Sequence, residues 1–247
     1  MNRFKAFGWH LLVSMGLALL SAALVFLLWY PGSIASATGI TDIFLMVLMV
    51  DVVLGPLITL IVYNTKKKEL KRDLAVVALV QVFALLYGLH IAFIARPVYI
   101  VYNVGRFDLV YANDLTHEKL LHVRPEYQSL PLLGPQVIAA VMPADVDARN
   151  AILFSAISGG DDLPQLPQYY EPYATQKTAA LSRIKSLNEL IELNKDNAPG
   201  IDALEKKYAK VSGGIGYFPL KAKTADLAVI VQKNTGNFLE VASFHPW

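Results

Sequence analysis

The chain has 247 residues and a mass of 27.2 kDa, with 55% hydrophobic and 17% charged residues. Soluble proteins average about 45–50% apolar and about 25% charged residues, so this composition and a mean hydropathy of +0.42 indicate a membrane protein and exclude a disordered chain. The absence of cysteine excludes disulfides, thiol nucleophiles and cysteine-ligated metals, and a net charge of +2 offers no argument for nucleic-acid binding.

Three long apolar runs occupy the first 95 residues. Helices are predicted over about residues 9–30, 43–63 and 74–95, since a helix needs about 20 apolar residues to cross the hydrocarbon core. The first and third runs contain no Asp, Glu, Lys or Arg, whereas the second contains Asp51 alone. We therefore predict a membrane domain over residues 1–95 and a second domain over residues 96–247.

The distribution of basic residues predicts the orientation of these helices. Arg3 and Lys5 precede the first helix, and the first link, residues 31–42, has no Lys or Arg. The second link is basic and contains Lys66, Lys67, Lys68, Lys71 and Arg72. The positive-inside rule then places the N-terminus and the second link in the cytoplasm, and the second domain on the far side.

A cleaved signal peptide is the alternative for the first helix. Arg3, Lys5 and the apolar run before Ala35-Ser36-Ala37 resemble a signal sequence with an A-x-A cleavage site. Apolar regions of signal peptides extend over about 7–15 residues, whereas this run is close to a full membrane span. An uncleaved first helix is therefore favoured.

The second domain has the composition of a soluble protein, with 15 Lys/Arg and 16 Asp/Glu. Segments of β-rich composition predict two hairpins and one buried strand, over 97–103 with 106–112, over 227–231 with 238–244, and over 137–142. Apolar residues at helical spacing predict three helices, over 144–157, 175–193 and 197–210. This order predicts an α+β domain with a mainly antiparallel sheet.

A segment rich in proline and tyrosine, residues 163–173, predicts an ordered loop. Tyr169, Tyr170 and Tyr173 are candidate partner contacts, because tyrosine supplies a large contact area and proline keeps a loop preorganised. The alternative is that these tyrosines cover the core of their own domain.

Polar and helix-breaking residues inside the spans are candidates for a functional site. Asp51 lies ~12 Å from the outer end of its helix, and a carboxylate at such depth normally faces protein, water or a partner. Gly55 and Pro56 follow and predict a kink, because proline cannot donate to the carbonyl four residues earlier. His90 is predicted at a similar depth on the third helix. An internal Asp51–His90 pair and a site for an external helix both remain open.

No catalytic, metal-binding or cofactor-binding motif is predicted. His117 and His122 resemble a zinc motif, but their i, i+5 offset turns their side chains about 140° apart on a helix. The chain has no G-x-S-x-G or P-loop sequence, and the glycine-rich segment 212–216 opens no helix. The sequence therefore favours a protein that is not an enzyme.

Several longer blocks are specific enough to indicate a family. The most specific is Val50-Asp-Val-Val-Leu-Gly-Pro-Leu-Ile-Thr-Leu-Ile-Val62. Further blocks are Arg3-Phe-Lys-Ala-Phe7, Leu24-Val-Phe-Leu-Leu-Trp-Tyr-Pro31, Asp73-Leu-Ala-Val-Val77, Ala95-Arg-Pro-Val-Tyr99, Arg106-Phe-Asp108, Leu130-Pro-Leu-Leu-Gly-Pro135 and Pro246-Trp247. With these blocks the chain resembles the TfpX/TfpZ family of type IV pilin accessory proteins of Gram-negative bacteria.

The resemblance implies an inner-membrane, chaperone-like accessory factor with a periplasmic domain. Its implied partners are one major type IV pilin, the lipid bilayer and other pilus assembly components, and it implies no cofactor. Two alternatives belong to other classes. One is a membrane-bound enzyme with acid–base chemistry at Asp51 and His90 or in a cleft of the second domain, and the other is a periplasmic sensor. The absence of a recognisable output domain counts against the sensor.

Overall fold

The three apolar runs each form one long helix in the computed structural model, which describes residues 2–247 of the chain. Helices α1, α2 and α3 cover Arg3–Trp29, Ile40–Val62 and Leu70–Ile94. Each is long and apolar enough to cross a membrane, which confirms the three predicted spans and indicates a membrane protein. The end of α1 and the middle of α2 are π-helical, over Leu24–Trp29 and Met49–Leu54.

Seven strands that follow the third helix form one sheet. They are β1 Pro97–Asn103, β2 Arg106–Tyr111, β3 Gln136–Ala140, β4 Tyr170–Pro172, β5 Ile215–Lys221, β6 Leu227–Gln232 and β7 Phe238–Ala242. Their order across the sheet is β4-β3-β1-β2-β5-β6-β7. Both predicted hairpins are present, as β1 with β2 and β6 with β7, and β3 is the predicted buried strand.

The sheet is mixed, which corrects the expectation of a mainly antiparallel sheet. Four neighbouring pairs are antiparallel, whereas β1 with β3 and β2 with β5 are parallel. The long connection after β2 crosses β1 and then reverses direction. Strand β3 therefore lies on the other side of β1 and runs parallel to it. Strand direction across so long a connection does not follow from local periodicity. The predicted class, membrane helices followed by an α+β domain, is confirmed.

Short helices pack on the sheet and differ from the expectation in one region. They are α4 His117–Leu120, α5 Val146–Ile157, α6 Lys177–Leu181, α7 Leu187–Leu193 and α8 Ala198–Lys207. The single helix predicted over 175–193 is thus two helices, because the chain between α6 and α7 runs beside β5. There the backbones of Lys185 and Tyr217 exchange two hydrogen bonds of 3.0 Å.

Strand β5 lies inside the sheet although the sequence pattern does not predict it. It contains Pro219, and a proline without an N–H normally argues against a central strand. The Pro219 nitrogen points to the same side as the Tyr217 amide, because alternate residues of a strand share a direction. The Tyr217 amide points away from β6, towards the backbone of Lys185, so the Pro219 nitrogen also points away from β6. On that side of β5 only Leu220 and Lys221 pair with β2, so the N–H that Pro219 lacks is not needed for the β2–β5 pairing.

The loop between α1 and α2 packs into the sheet domain. Ile34 and Ala37 of this loop are buried in the main core cluster of that domain, and the Thr224 amide donates to the Ala37 carbonyl at 3.1 Å. At the adjoining helix ends, the Tyr30 hydroxyl donates to the Ala92 carbonyl at 2.8 Å. The loop and the sheet therefore lie at the same end of the three helices.

Arg96 connects the end of α3 to the loop that precedes β3. Its Nε and Nη2 atoms donate to the Pro131 carbonyl at 3.1 and 3.0 Å, and its Nη1 atom donates to the Phe93 carbonyl at 2.8 Å. The buried guanidinium also lies 3.9 Å from the centroid of the Phe93 ring. These contacts hold the sheet against the helix ends that adjoin the loop between α1 and α2.

Candidate functional site

Asp51 lies in the widened π turn at the middle of α2. In this turn the Gly55 N–H donates to the Val50 carbonyl, not to the Asp51 carbonyl as in a regular α-helix. The same register directs the Asp51 carbonyl to the next amide along the chain, but Pro56 has no N–H. The distortion predicted at Gly55-Pro56 therefore takes the form of a π turn that deprives the Asp51 carbonyl of a helical donor.

Gln81 of α3 supplies the missing donor. Its Nε2 atom donates to the Asp51 carbonyl at 3.0 Å, and its side chain is buried. A Cβ atom at Gly55 would lie 1.9 Å from Gln81 Nε2, so only glycine at that position lets the amide approach. The sequence reasoning missed Gln81, although a lone amide in an otherwise apolar span is a signal of such a role.

The Asp51 side chain is buried but offers free acceptors. Only 6% of the residue is exposed. Among residues 2–247, neither carboxylate oxygen of Asp51 has a hydrogen-bond partner, and neither does Gln81 Oε1. A buried carboxylate without a partner is costly, which indicates either protonation or a group supplied from outside the chain.

A cleft of about 120 Å³ opens beside this carboxylate, with all three helices contributing to its walls. Its polar lining residues are His10 and Ser14 of α1, Asp51 of α2 and Gln81 of α3, and the remaining lining is aliphatic. Near this cleft, His10 Nδ1 and Thr59 Oγ1 share a hydrogen bond of 2.6 Å. The arrangement is a largely apolar cleft with the buried, unpartnered side chain of Asp51 in its wall.

His90 is not part of this cluster, so the internal Asp51–His90 pair is not formed. Gln81 packs against Gly55 and Gly88 packs against Val47, which places His90 level with residues near 45. That level is about 9 Å nearer than Asp51 to the helix ends that adjoin the sheet. The sequence placed Asp51 too close to this end of its helix, because α2 begins at Ile40 and not at residue 43. The His90 side chain is exposed on the outside of the bundle.

The tyrosine-rich segment is ordered, but two of its tyrosines are in the core. The Tyr170 hydroxyl donates to the Pro164 carbonyl at 2.5 Å, and the Tyr173 hydroxyl donates to the Gly236 carbonyl at 2.9 Å. Burial raises the pKa of both phenols well above the usual value. Tyr169 is half-buried against the same core. The segment is ordered and consists of 3-10 turns and β4, and the burial of Tyr170 and Tyr173 agrees with the alternative that these tyrosines cover the core of their own domain.

Helix α5 carries an exposed apolar face that the sequence reasoning did not single out. Val146, Leu153, Phe154 and Ile157 are all exposed, and Ile157 reaches 82%. The one fully buried residue of this helix is Ile152. Clustered exposed apolar side chains are typical of an interaction surface.

The Gln81 contact leads to a prediction about the helix bundle. Gln81→Leu should destabilise the protein by about 1–2 kcal/mol, because the Asp51 carbonyl loses its donor in a low-dielectric setting. In a Pro56→Ala background the backbone regains an N–H for that carbonyl, so the same change should cost less than about 0.5 kcal/mol. Thermal unfolding of the four detergent-purified proteins would measure both values. Equal losses in the two backgrounds would contradict the assignment.

Comparison with known proteins finds similarity to fimbrial assembly proteins. The family model described as "Fimbrial assembly protein FimB" matches residues 1–32. The serogroup I fimbrial assembly protein of Dichelobacter nodosus is 27% identical over 235 residues, which cover 93% of this chain and 91% of the relative.

Two further relatives come from the same species. The serogroup E1 protein is 29% identical over 174 residues, which cover 70% of this chain and 67% of the relative. The protein of serogroups C1 and C2 is 32% identical over 118 residues, which cover 47% of this chain and 90% of the relative. No solved structure matches the chain significantly.

Proposed function

The chain belongs to the fimbrial assembly protein family, and from this we propose that it is a membrane accessory factor that binds one major type IV pilin and promotes or modulates pilus assembly. The observation that carries the proposal is the similarity to a fimbrial assembly protein over 93% of the chain, which includes both the spans and the sheet domain. The specific blocks that resemble the TfpX/TfpZ family support the same role at a finer level.

Specificity for one pilin is supported by the names of the relatives. All three come from one species and each is named for particular serogroups. A protein that recognises a variable pilus subunit is expected to vary with it, whereas a general part of the assembly machinery is not.

The role is proposed to be non-enzymatic and chaperone-like. Acid–base chemistry by Asp51 with His90 loses its support, because the two residues lie at different depths and His90 faces outward. The membrane region has instead a largely apolar cleft lined by Asp51, whose buried carboxylate has no hydrogen-bond partner among residues 2–247. Such a cleft suits the binding of a ligand more than the cleavage of a bond.

Two regions are proposed to contact pilin. Asp51 lines a cleft that suits a side chain of a membrane-embedded helix, and Gly55 and Pro56 shape the helix turn that carries Asp51. Exposed His90 is available to such a helix near the outer end of α3. The exposed apolar face of α5 replaces Tyr170 and Tyr173 as the candidate surface for the soluble part of pilin, because those tyrosines are buried. Tyr169, which is half-buried, remains a lesser candidate.

The protein is proposed to lie in the bacterial inner membrane, with residues 1–95 as its membrane domain, the N-terminus in the cytoplasm and residues 96–247 in the periplasm. The basic link that contains Lys66, Lys67 and Lys68 supports this orientation. The packing of Ile34 and Ala37 into the sheet domain supports a shared side for the first link and that domain.

The orientation predicts the activity of reporters fused to the chain. A phosphatase that folds only in the periplasm should be active after Trp247, and a fluorescent protein that matures only in the cytoplasm should stay dark there, because the second domain follows three crossings. The same reporters inserted at Lys67 should give the opposite pattern and serve as the control. Fluorescence after Trp247 would overturn the orientation.

The proposed function is tested by deletion and by purification. Loss of the gene should remove most surface pili, and its return on a plasmid should restore them. The tagged protein, purified from membranes of the complemented strain, should bring down the pilin of that strain in preference to the pilin of an unrelated strain. Normal piliation without the gene would overturn the proposal.

A further inference from the structure

Asp51 and Gln81 both line the cleft between α1, α2 and α3. Three of their side-chain oxygens, Asp51 Oδ1, Asp51 Oδ2 and Gln81 Oε1, are buried and have no hydrogen-bond partner among residues 2–247. The Gln81 Nε2 atom is occupied by the Asp51 carbonyl. Asp51 lines the cleft and is more than nine-tenths buried.

The chain itself supplies no cation at this depth. There is no Lys or Arg from Ala6 to Thr41, from Ile43 to Tyr63 or from Leu74 to Ala95. Within residues 2–247, the ion pairs of the structure do not include Asp51. His10 on the cleft wall has its Nδ1 atom engaged with Thr59 and makes no hydrogen bond to Asp51. A cation that pairs with an ionised Asp51 therefore has to come from another molecule.

The mouth of the cleft indicates where that molecule lies. Val13 and Leu17 of α1 and Val82 of α3 line the cleft and are exposed on the outside of the bundle. An entrance with aliphatic walls at this depth faces lipid and not water. The ligand is thus expected to be part of a segment that is itself embedded in the membrane.

We propose that the cleft binds one ammonium group carried by a membrane-embedded segment of the pilin, with Asp51 as the counter-ion. An ammonium group supplies the positive charge that the unpartnered Asp51 carboxylate lacks, whereas a hydroxyl is neutral and a planar guanidinium is a larger group with five donors. The cleft volume of about 120 Å³ accommodates a small polar head with part of its aliphatic stem. This assignment rests on the proposed function and names the chemistry of its membrane contact.

The charge of Asp51 provides the first test. Pilin captured per molecule of tagged protein would be measured after purification from membranes of cells that express Asp51→Glu, Asp51→Asn or Asp51→Leu. Asp51→Glu keeps the negative charge and should retain most of the captured pilin. Asp51→Asn and Asp51→Leu should each lose at least ~10-fold, because a buried ammonium would have no counter-ion. Asp42→Asn, at an exposed carboxylate on the same helix, is the matched control and should behave like wild type.

A steric test leaves Asp51 unchanged. Ala78→Trp should fill the cleft that Ala78 lines and reduce capture as strongly as Asp51→Leu. Leu79→Trp adds the same ring at the next position, which is exposed and does not line the cleft, and should leave capture unchanged. Capture in bilayers whose lipids lack primary amines should persist. Dependence on an ethanolamine lipid would instead assign the ammonium to lipid and overturn the proposal.

The outcomes separate this proposal from the proposed function. Normal capture with Asp51→Asn but not with Asp51→Leu would show a neutral polar contact and overturn the ammonium assignment. A photoreactive amino acid at position 154 on α5 reports pilin contact independently of the cleft. If it captures pilin while all cleft variants behave like wild type, the cleft proposal fails and the proposed function stands. If the wild-type protein captures no pilin by either route, the proposed function fails.

Discussion

Replacing Asp51 with leucine is expected to remove surface pili while the amount of protein in the membrane stays normal. The carboxylate oxygens have no partner within residues 2–247, so the substitution removes a buried polar group without breaking an internal side-chain contact. Polar contacts in membranes are worth only about 0.6–2 kcal/mol, which is too little for their loss to unfold three long apolar helices. A contact with pilin worth about 1.4 kcal/mol would still change the dissociation constant for pilin about tenfold.

The measurement combines quantitative blotting of membranes with counts of pili per cell. Asp42→Leu, at an exposed position near the start of the same helix, should change neither quantity and controls for the loss of an acidic residue. Normal piliation in the Asp51→Leu strain would show that Asp51 is not a functional site. Lost piliation together with lost protein would assign Asp51 to the stability of the bundle.

Replacing Tyr173 with alanine is expected to destabilise the sheet domain by about 3–5 kcal/mol, because a large buried aromatic leaves a cavity. The ring lies 5.6 Å from the Tyr102 ring and 5.4 Å from the Phe107 ring, centroid to centroid. Its hydroxyl also holds the Gly236 carbonyl in the turn between β6 and β7. Protease resistance of the full-length protein in detergent, measured against denaturant, would show the loss.

Two further variants separate packing from partner binding. Tyr173→Phe keeps the ring and removes the hydrogen bond to Gly236, so it should cost only about 1–2 kcal/mol. Tyr169→Ala, at a half-buried position, should cost distinctly less than Tyr173→Ala. If Tyr173→Ala were as stable as wild type but no longer bound pilin, the tyrosine would belong to a binding surface and the core assignment would be wrong.

The candidate site in the membrane was only partly predictable from the sequence. Asp51 and Gly55-Pro56 were identified because a charge and a helix breaker in an apolar run are local signals. Gln81 was missed, and the choice between an Asp51–His90 pair and an external contact stayed open, because the relative height of two helices depends on where each one ends and on how their small residues pack. Gly55 against Gln81 and Gly88 against Val47 decide that register.

Features that depend on short stretches of chain were predictable from the amino-acid sequence. Three spans follow from the length of three apolar runs, and two hairpins follow from turn residues between β-rich segments. The order of elements was also sufficient for the class, membrane helices followed by an α+β domain.

Features that depend on contacts between distant parts of the chain became visible only in the folded protein. Strand β5 is stabilised by β6 and by the backbone of Lys185, so its proline is tolerated. The connection after β2 makes the sheet mixed, and the core takes up Tyr170 and Tyr173. The arrangement around Asp51 also depends on contacts between helices, because it combines a π turn and a proline on α2 with an amide on α3. Such arrangements arise from long-range packing, which the local periodicity of the sequence does not reveal.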